Sequence, residues 1–202
     1  MTINTDQLLE SILESLDRVD YIKPQDIPDI QLYMDQVTTF MDTHLASTRR
    51  YPEDKILTKT MINNYAKNNL IPPPEKKKYS REHLLLMIFI YYFKSFLSIT
   101  DIQALMSPLT EKYFQKEEGL NLESVYSEVF RMEKPQIERL KESVRDLYHT
   151  SCGTFQNAPD SDQDFLQHFS FICLLSFDVY LKKQMIERLV DQLPKPDPKK
   201  KK

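Results

Sequence analysis

The chain has 202 residues, 41% of them apolar, and a net charge of −3, enough for one ordinary domain or two small ones with a real core. Glycine occurs only as Gly119 and Gly153, which all but excludes phosphate-cradling loops and dinucleotide fingerprints, because both need close backbone approach. The two cysteines, Cys152 and Cys173, make no disulfide framework and fit free thiols in a reducing cytoplasm.

In chain order, an amphipathic helix is predicted over residues 5–18, with Leu8, Leu9, Ile12, Leu13 and Leu16 on one side. A connector over 21–28 holds Pro24 and Pro28. A second helix is predicted from residue 28 or 29 to 45, with Ile30, Tyr33, Val37, Phe40 and Met41 spaced three or four apart. A basic loop over 46–55 contains Arg49, Arg50 and Pro52. Thr58 suits the N-cap of the next helix, since its hydroxyl can accept from an unpaired first-turn amide. That helix should end near Asn69, in the left-handed conformation that asparagine tolerates, because Pro72, Pro73 and Pro74 forbid continuation.

Ser80 is predicted to cap an apolar helix over 81–96, and Ser98 a shorter one over 99–106. Beyond Pro108, helices are predicted over 110–117, 122–133 and 135–148, with Pro135 alternatively a kink inside one longer helix. A polar loop over 151–161 leads to a last helix over about 162–192, and then to a disordered lysine tail. The apolar run over 84–93 holds ten residues before Lys94, short of the ~20 of a bilayer span. It reads as a buried helix, and no membrane partner and no signal peptide are predicted.

Charge is unevenly placed. Residues 1–46 carry two basic and nine acidic groups, 47–81 nine basic and three acidic, 82–194 eleven basic and seventeen acidic, and 195–202 five lysines and one aspartate. The middle stretch is a basic island of +6 in an acidic chain, which is the local footprint of a polyanion site or, alternatively, a solvated loop with surplus lysines. At 100° per residue, Lys59, Thr60, Asn63, Asn64, Lys67 and Asn68 share one half of their helix, and Met61, Ile62, Tyr65 and Ala66 the other. The polar half has no acid. It suits a major groove, where asparagine pairs bidentately with adenine and lysine reaches guanine or phosphate. Lys76, Lys77, Lys78 and Tyr79 follow the prolines as a short basic hairpin or turn able to grip backbone phosphates. The plain alternative is a surface helix whose polar half meets only water.

The stretch Tyr65-Ala66-Lys67-Asn68-Asn69-Leu70-Ile71-Pro72-Pro73, followed by Tyr79-Ser80-Arg81-Glu82-His83-Leu84, resembles MerR-type winged helix-turn-helix regulators over about residues 56–106. The segment 29–106, with Leu32-Tyr33-Met34-Asp35-Gln36-Val37 and Ile71-Pro72-Pro73-Pro74, is similar to a family of bacterial proteins with an uncharacterised domain of this kind. The resemblance implies a winged-helix fold and a regulatory role. Asn63 stands where MerR-type proteins carry arginine, Asn69 replaces their glycine, and the wing is shorter.

Elsewhere, His149 and Cys152 have metal-like spacing, but two ligands make no zinc site. There is no evident nucleophile, base and orienter set, so no catalytic residue, metal or cofactor is predicted. The last helix is apolar nearly all round, which fits a bundle centre, a dimer contact or an effector pocket. It lacks sustained heptads, so no simple coiled coil is expected.

Together these features predict an all-α cytoplasmic protein: an N-terminal helix (1–23), a winged helix-turn-helix module (24–107), a C-terminal helical region (108–193) and a disordered basic tail (194–202). The predicted function is transcriptional regulation by a homodimer on double-stranded DNA, with a small-molecule effector an open possibility. The predicted contacts are Thr58, Lys59, Thr60, Asn63, Asn64, Tyr65, Lys67, Lys76, Lys77, Lys78 and Tyr79. The alternative is a helical protein–protein adaptor that keeps the winged-helix shape without binding DNA.

Overall fold

The structure, a computed structural model, describes residues 5–16 and 21–194. Its helices are α1 (Thr5–Leu16), α2 (Met34–His44), α3 (Lys59–Lys67), α4 (Arg81–Phe93), α5 (Ile99–Tyr113), α6 (Leu122–Arg131), α7 (Glu133–Cys152) and α8 (Asp160–Val190), with short 3-10 turns at Pro24–Asp26 and Ala46–Thr48. Strands β1 (Leu32–Tyr33) and β2 (Lys78–Tyr79) pair antiparallel, Leu32 opposite Tyr79 and Tyr33 opposite Lys78. The protein is mostly helical, as expected, with this small sheet added to it. The residues of the expected first helix beyond Leu16, and the lysine tail from Lys195, lie outside the described residues.

The described chain divides into two compact units, one of residues 21–131 with 187–194 and one of residues 5–16 with 132–186. The expected boundary at 107/108 falls inside α5, and the compact unit that holds α3 continues through α6.

In the larger unit α4 is the centre. Every side chain from His83 to Ile90 is buried, as the apolar run demands; each such Leu, Ile or Phe gains about 1.5–3 kcal/mol on leaving water. Around it α2 buries Val37 and Met41, α3 buries Ile62 and Tyr65, α5 buries Ile102, Ala104 and Met106, and α6 buries Leu122, Tyr126 and Phe130. Arg81 ties three segments together. Its guanidinium donates to both carboxylate oxygens of Glu123 at 2.9 and 3.0 Å, and to the carbonyls of Ile27 and Pro24. Tyr126, fully buried, donates its hydroxyl to the Ile22 carbonyl at 2.6 Å.

Two predicted elements differ. The second helix begins at Met34 rather than at residue 28 or 29, because Leu32 and Tyr33 are extended and paired with β2. Helix α5 runs through Pro108 to Tyr113 instead of breaking there. Pro108 deprives the Ala104 carbonyl of its helical partner.

The smaller unit packs α1, α7 and α8 about Leu9, Leu13, Val144, Tyr148 and Phe171, with Leu140, Leu147 and Leu175 at its edge. The Tyr148 and Phe171 rings meet edge to face at 5.4 Å. Pro135 sits in the first turn of α7, where its missing N–H costs nothing, and α7 extends to Cys152. Arg145 on α7 reaches Glu10 on α1 at 3.2 Å. Among the described residues, no helix is long and apolar enough to cross a membrane.

Candidate nucleic-acid interface

Helix α3 is only nine residues long, too short to hold itself in water without caps and packing. Both ends are capped by its own sequence. The Thr58 hydroxyl accepts from the Met61 amide at 3.2 Å. At the other end Asn69 takes φ 54°, the Leu70 amide reaches back to the Tyr65 carbonyl at 2.9 Å, and the Asn69 amide to Ala66 at 3.1 Å. This is a Schellman closure with asparagine in the place glycine prefers, and its outer apolar pair, Tyr65 and Leu70, is buried.

Packing then fixes which half faces out. Ile62 is fully buried and Tyr65 is 4% exposed, while Lys59, Thr60, Asn63, Asn64, Lys67 and Asn68 are all exposed. The two predicted tyrosines are placed differently from the polar residues. Tyr65 is core, and burial pushes its hydroxyl pKa up to about 12. Tyr79 is 3% exposed, with its hydroxyl also raised by burial. Neither side chain joins the exposed face, because Tyr65 lies on the apolar half of α3 and Tyr79 pairs with Leu32 on the inner side of the sheet. Thr58 is partly buried at the cap.

The tertiary fold adds one acid to this surface. Asp35, in the first turn of α2, forms an ion pair with Lys59, and both side chains are mostly exposed. Such an exposed pair contributes about 0–1 kcal/mol, so Lys59 is easily drawn to a stronger anion.

The lysine turn is tightly made. Lys78 donates its amide to the Glu75 carbonyl at 2.8 Å, and Lys76 and Lys77 between them take φ 48° and 64°. Two successive positive φ values are what a two-residue type I′ hairpin turn requires, where Asn-Gly is the unstrained choice. Two lysines there carry strain of about 1 kcal/mol or more each. Lys76 and Lys77 are exposed at the tip. Lys78 is partly buried and lies with its ammonium 5.3 Å from the centre of the Tyr33 ring, its cross-strand partner.

His83 fastens the end of this turn to α4. It is 3% exposed. Its Nδ1 accepts from the Ser80 amide at 3.0 Å and lies 2.8 Å from the Ser80 hydroxyl. Its ring meets Tyr79 edge to face at 5.6 Å. Nε2 is turned toward the Pro72 and Pro73 carbonyls without closing a full hydrogen bond on either. His83 is thus both cap and core.

Two further cations of the larger unit are engaged. Arg49 pairs with Asp42. Lys94 donates to the Ile56 carbonyl at 2.8 Å and sits 4.6 Å from the Tyr91 ring centre, tying the connection before α3 to α4. Among the described residues, no cluster of three or more His, Cys, Asp or Glu side chains is placed to hold a metal ion.

The family described as Domain of unknown function (DUF1836) matches residues 22–129, more than half of the chain and nearly the whole run 21–131 of the larger unit. No curated protein and no solved structure matches the chain.

Burial lowers the His83 pKa below its ordinary 6.5, partly offset by the Pro72 and Pro73 carbonyls. The neutral ring is therefore the folded form. Its contribution is present above pH 6.5 and is lost as pH falls through the folded value. His83→Gln should be less stable than the parent at pH 7, and thermal melts from pH 7 to 5 should show that gap shrinking. A gap independent of pH would contradict the buried neutral imidazole.

Proposed function

The chain belongs to the DUF1836 family, and we propose that it is a sequence-specific DNA-binding transcriptional regulator whose larger unit is a winged helix-turn-helix of the MerR kind. The observation that carries this reading is the outward half of α3. Its exposed side chains are lysines, asparagines and a threonine, held by a capped helix whose other half is core. A short helix that presents donors and acceptors without acid is what a major groove accommodates.

In this reading Asn63 and Asn64 pair with adenine edges. Lys67 and Lys59 reach guanine or phosphate, Lys59 by leaving Asp35. Thr60 contacts a phosphate oxygen, and Thr58 serves by capping. The turn at Lys76 and Lys77 is the wing, and its backbone is the further support: two positions that asparagine and glycine would occupy without strain hold exposed lysines, so the tip presents charge. Lys78 is held on Tyr33 and contributes mainly to the sheet. Tyr65 and Tyr79 position α3 and the wing from inside. No chemistry is catalysed, and no cofactor is used. The smaller unit dimerises or receives a signal.

A second reading, a helical adaptor without DNA, draws on a different observation. Phe177, Leu181 and Met185, four residues apart along α8, are each 60% exposed or more, and exposed apolar surface of this kind marks protein contacts.

Fluorescence anisotropy against genomic fragments at two salt concentrations separates the readings. Duplex binding should weaken steeply with salt. Lys59→Ala combined with Asn64→Ala should lose sequence preference, each adenine contact being worth about 1–3 kcal/mol. Absence of any preferred fragment, with a tight protein partner recovered instead, favours the adaptor.

The wing gives a sharper test, because stability and binding should move in opposite directions. Lys76→Asn with Lys77→Gly should raise unfolding stability by about 1 kcal/mol by relieving the turn. The same change should weaken duplex binding and lower the salt slope by about 2, one for each lysine lost. A variant that is more stable and binds duplex unchanged would remove the turn from the interface.

A further inference from the structure

A carboxylate repels phosphate, yet Asp35 stands beside the exposed half of α3. Lys59 is the first residue of α3, and Asp35 the second of α2. Their ion pair joins the two helices, with 60% of the lysine side chain and 75% of the aspartate side chain exposed. Asp35 is not what closes the start of α2. Gln36 does that, its Oε1 accepting from the Tyr33 amide at 2.8 Å. Tyr33, two residues before Asp35, pairs with Lys78 at the base of the lysine turn and holds its ammonium against the ring. An acid is thus set where both cationic elements of the surface begin.

In a helix-turn-helix the first residues of the reading helix meet base edges. At that place Lys59 and Asp35 offer a cationic donor beside an anionic acceptor. Across the major groove a G·C pair presents two acceptors, guanine N7 and O6, and then a donor, the cytosine amino group. An A·T pair presents acceptor, donor, acceptor in the same order. Lys59 matches N7 and O6, and Asp35 matches the amino group. Over A·T the adenine amino group meets the ammonium and thymine O4 meets the carboxylate, so both contacts turn unfavourable. Over the reversed pair, C·G, both charges are misplaced. Opening the ion pair costs little, because both partners are exposed, and charge-assisted bonds to the bases replace it.

We propose that Asp35 and Lys59 together read one G·C pair in a single orientation, Lys59 donating to guanine and Asp35 accepting from cytosine. The inference rests on the DNA reading and gives that site a sequence class. Asn63 lies one turn further along α3 than Lys59, about 6 Å, or roughly two base-pair steps. The preferred duplex therefore places a G·C pair about two steps from the A·T pair that Asn63 reads. Asp35 is the specificity-determining residue. On any other sequence its charge faces phosphate or a base acceptor with no donor to offset it.

Selection from a random duplex library with the full chain, followed by sequencing, tests the proposal. The parent should enrich a motif with G·C in one orientation near A·T. Asp35→Ala should lose the preference at that one position by about tenfold or more, keep the A·T preference, and bind random duplex more tightly. Asp35→Asn should admit A·T at the same position, since asparagine pairs with adenine. A role confined to the start of α2 would instead weaken binding to all sequences alike and lower the melting temperature, and that result overturns the proposal. So does an Asp35→Ala motif identical to the parent's, which leaves the DNA reading standing. A parent that enriches no sequence overturns the DNA reading and this inference with it.

Discussion

Burial of α4 on all its sides is the constraint from which the larger unit follows. Eight consecutive side chains, His83 to Ile90, are removed from water, and one helix face cannot achieve that. Elements must close around it, and the residues that do so come from distant parts of the sequence: the 3-10 turn at Pro24–Asp26, α5 and α6. The bidentate contact of Arg81 with Glu123, and its bonds to the Ile27 and Pro24 carbonyls, fasten this shell where α4 begins. The buried Tyr126 hydroxyl on the Ile22 carbonyl closes it again.

The outward face of α3 depends on the same demand for burial. Ile62 and Tyr65 are committed to the interior, so a nine-residue helix has no rotational freedom left. Its lysines and asparagines are exposed because the other half is needed inside. The lysine turn is fixed by similar means: Tyr79 is buried, His83 caps α4 while touching Tyr79, and the chain must turn within two residues. The positive φ angles of Lys76 and Lys77 follow from that short turn.

What the sequence revealed was local. Thr58 as a cap and Asn69 as a left-handed stop were readable because both act within four residues of themselves, and the split of α3 into polar and apolar halves needs only helical periodicity. The pairing of Leu32–Tyr33 with Lys78–Tyr79 was not readable, since two-residue strands have no periodicity and their partners lie far apart in sequence. Asp35 beside Lys59 escaped for the same reason, and it qualifies the acid-free character of the face. Pro108 misled because its usual role as a breaker did not end α5, which runs on to Tyr113 from a turn anchored by the buried Ile102, Ala104 and Met106. Tyr79 was assigned to the contact surface by its place in a basic run, whereas its alternation with Lys78 already put the two on opposite sides of a strand.

The central claim is that the exposed half of α3 and the lysine turn meet a nucleic-acid duplex. Backbone and side-chain amide resonances followed during titration with a duplex test it at the residues themselves. The side-chain amides of Asn63 and Asn64 and the backbone amides of Lys67, Lys76 and Lys77 should shift together and saturate together, while those of Leu86 and Ile88 in α4 stay in place. Saturating shifts confined to other surfaces, or no shift at α3 at concentrations that bind duplex, would contradict it.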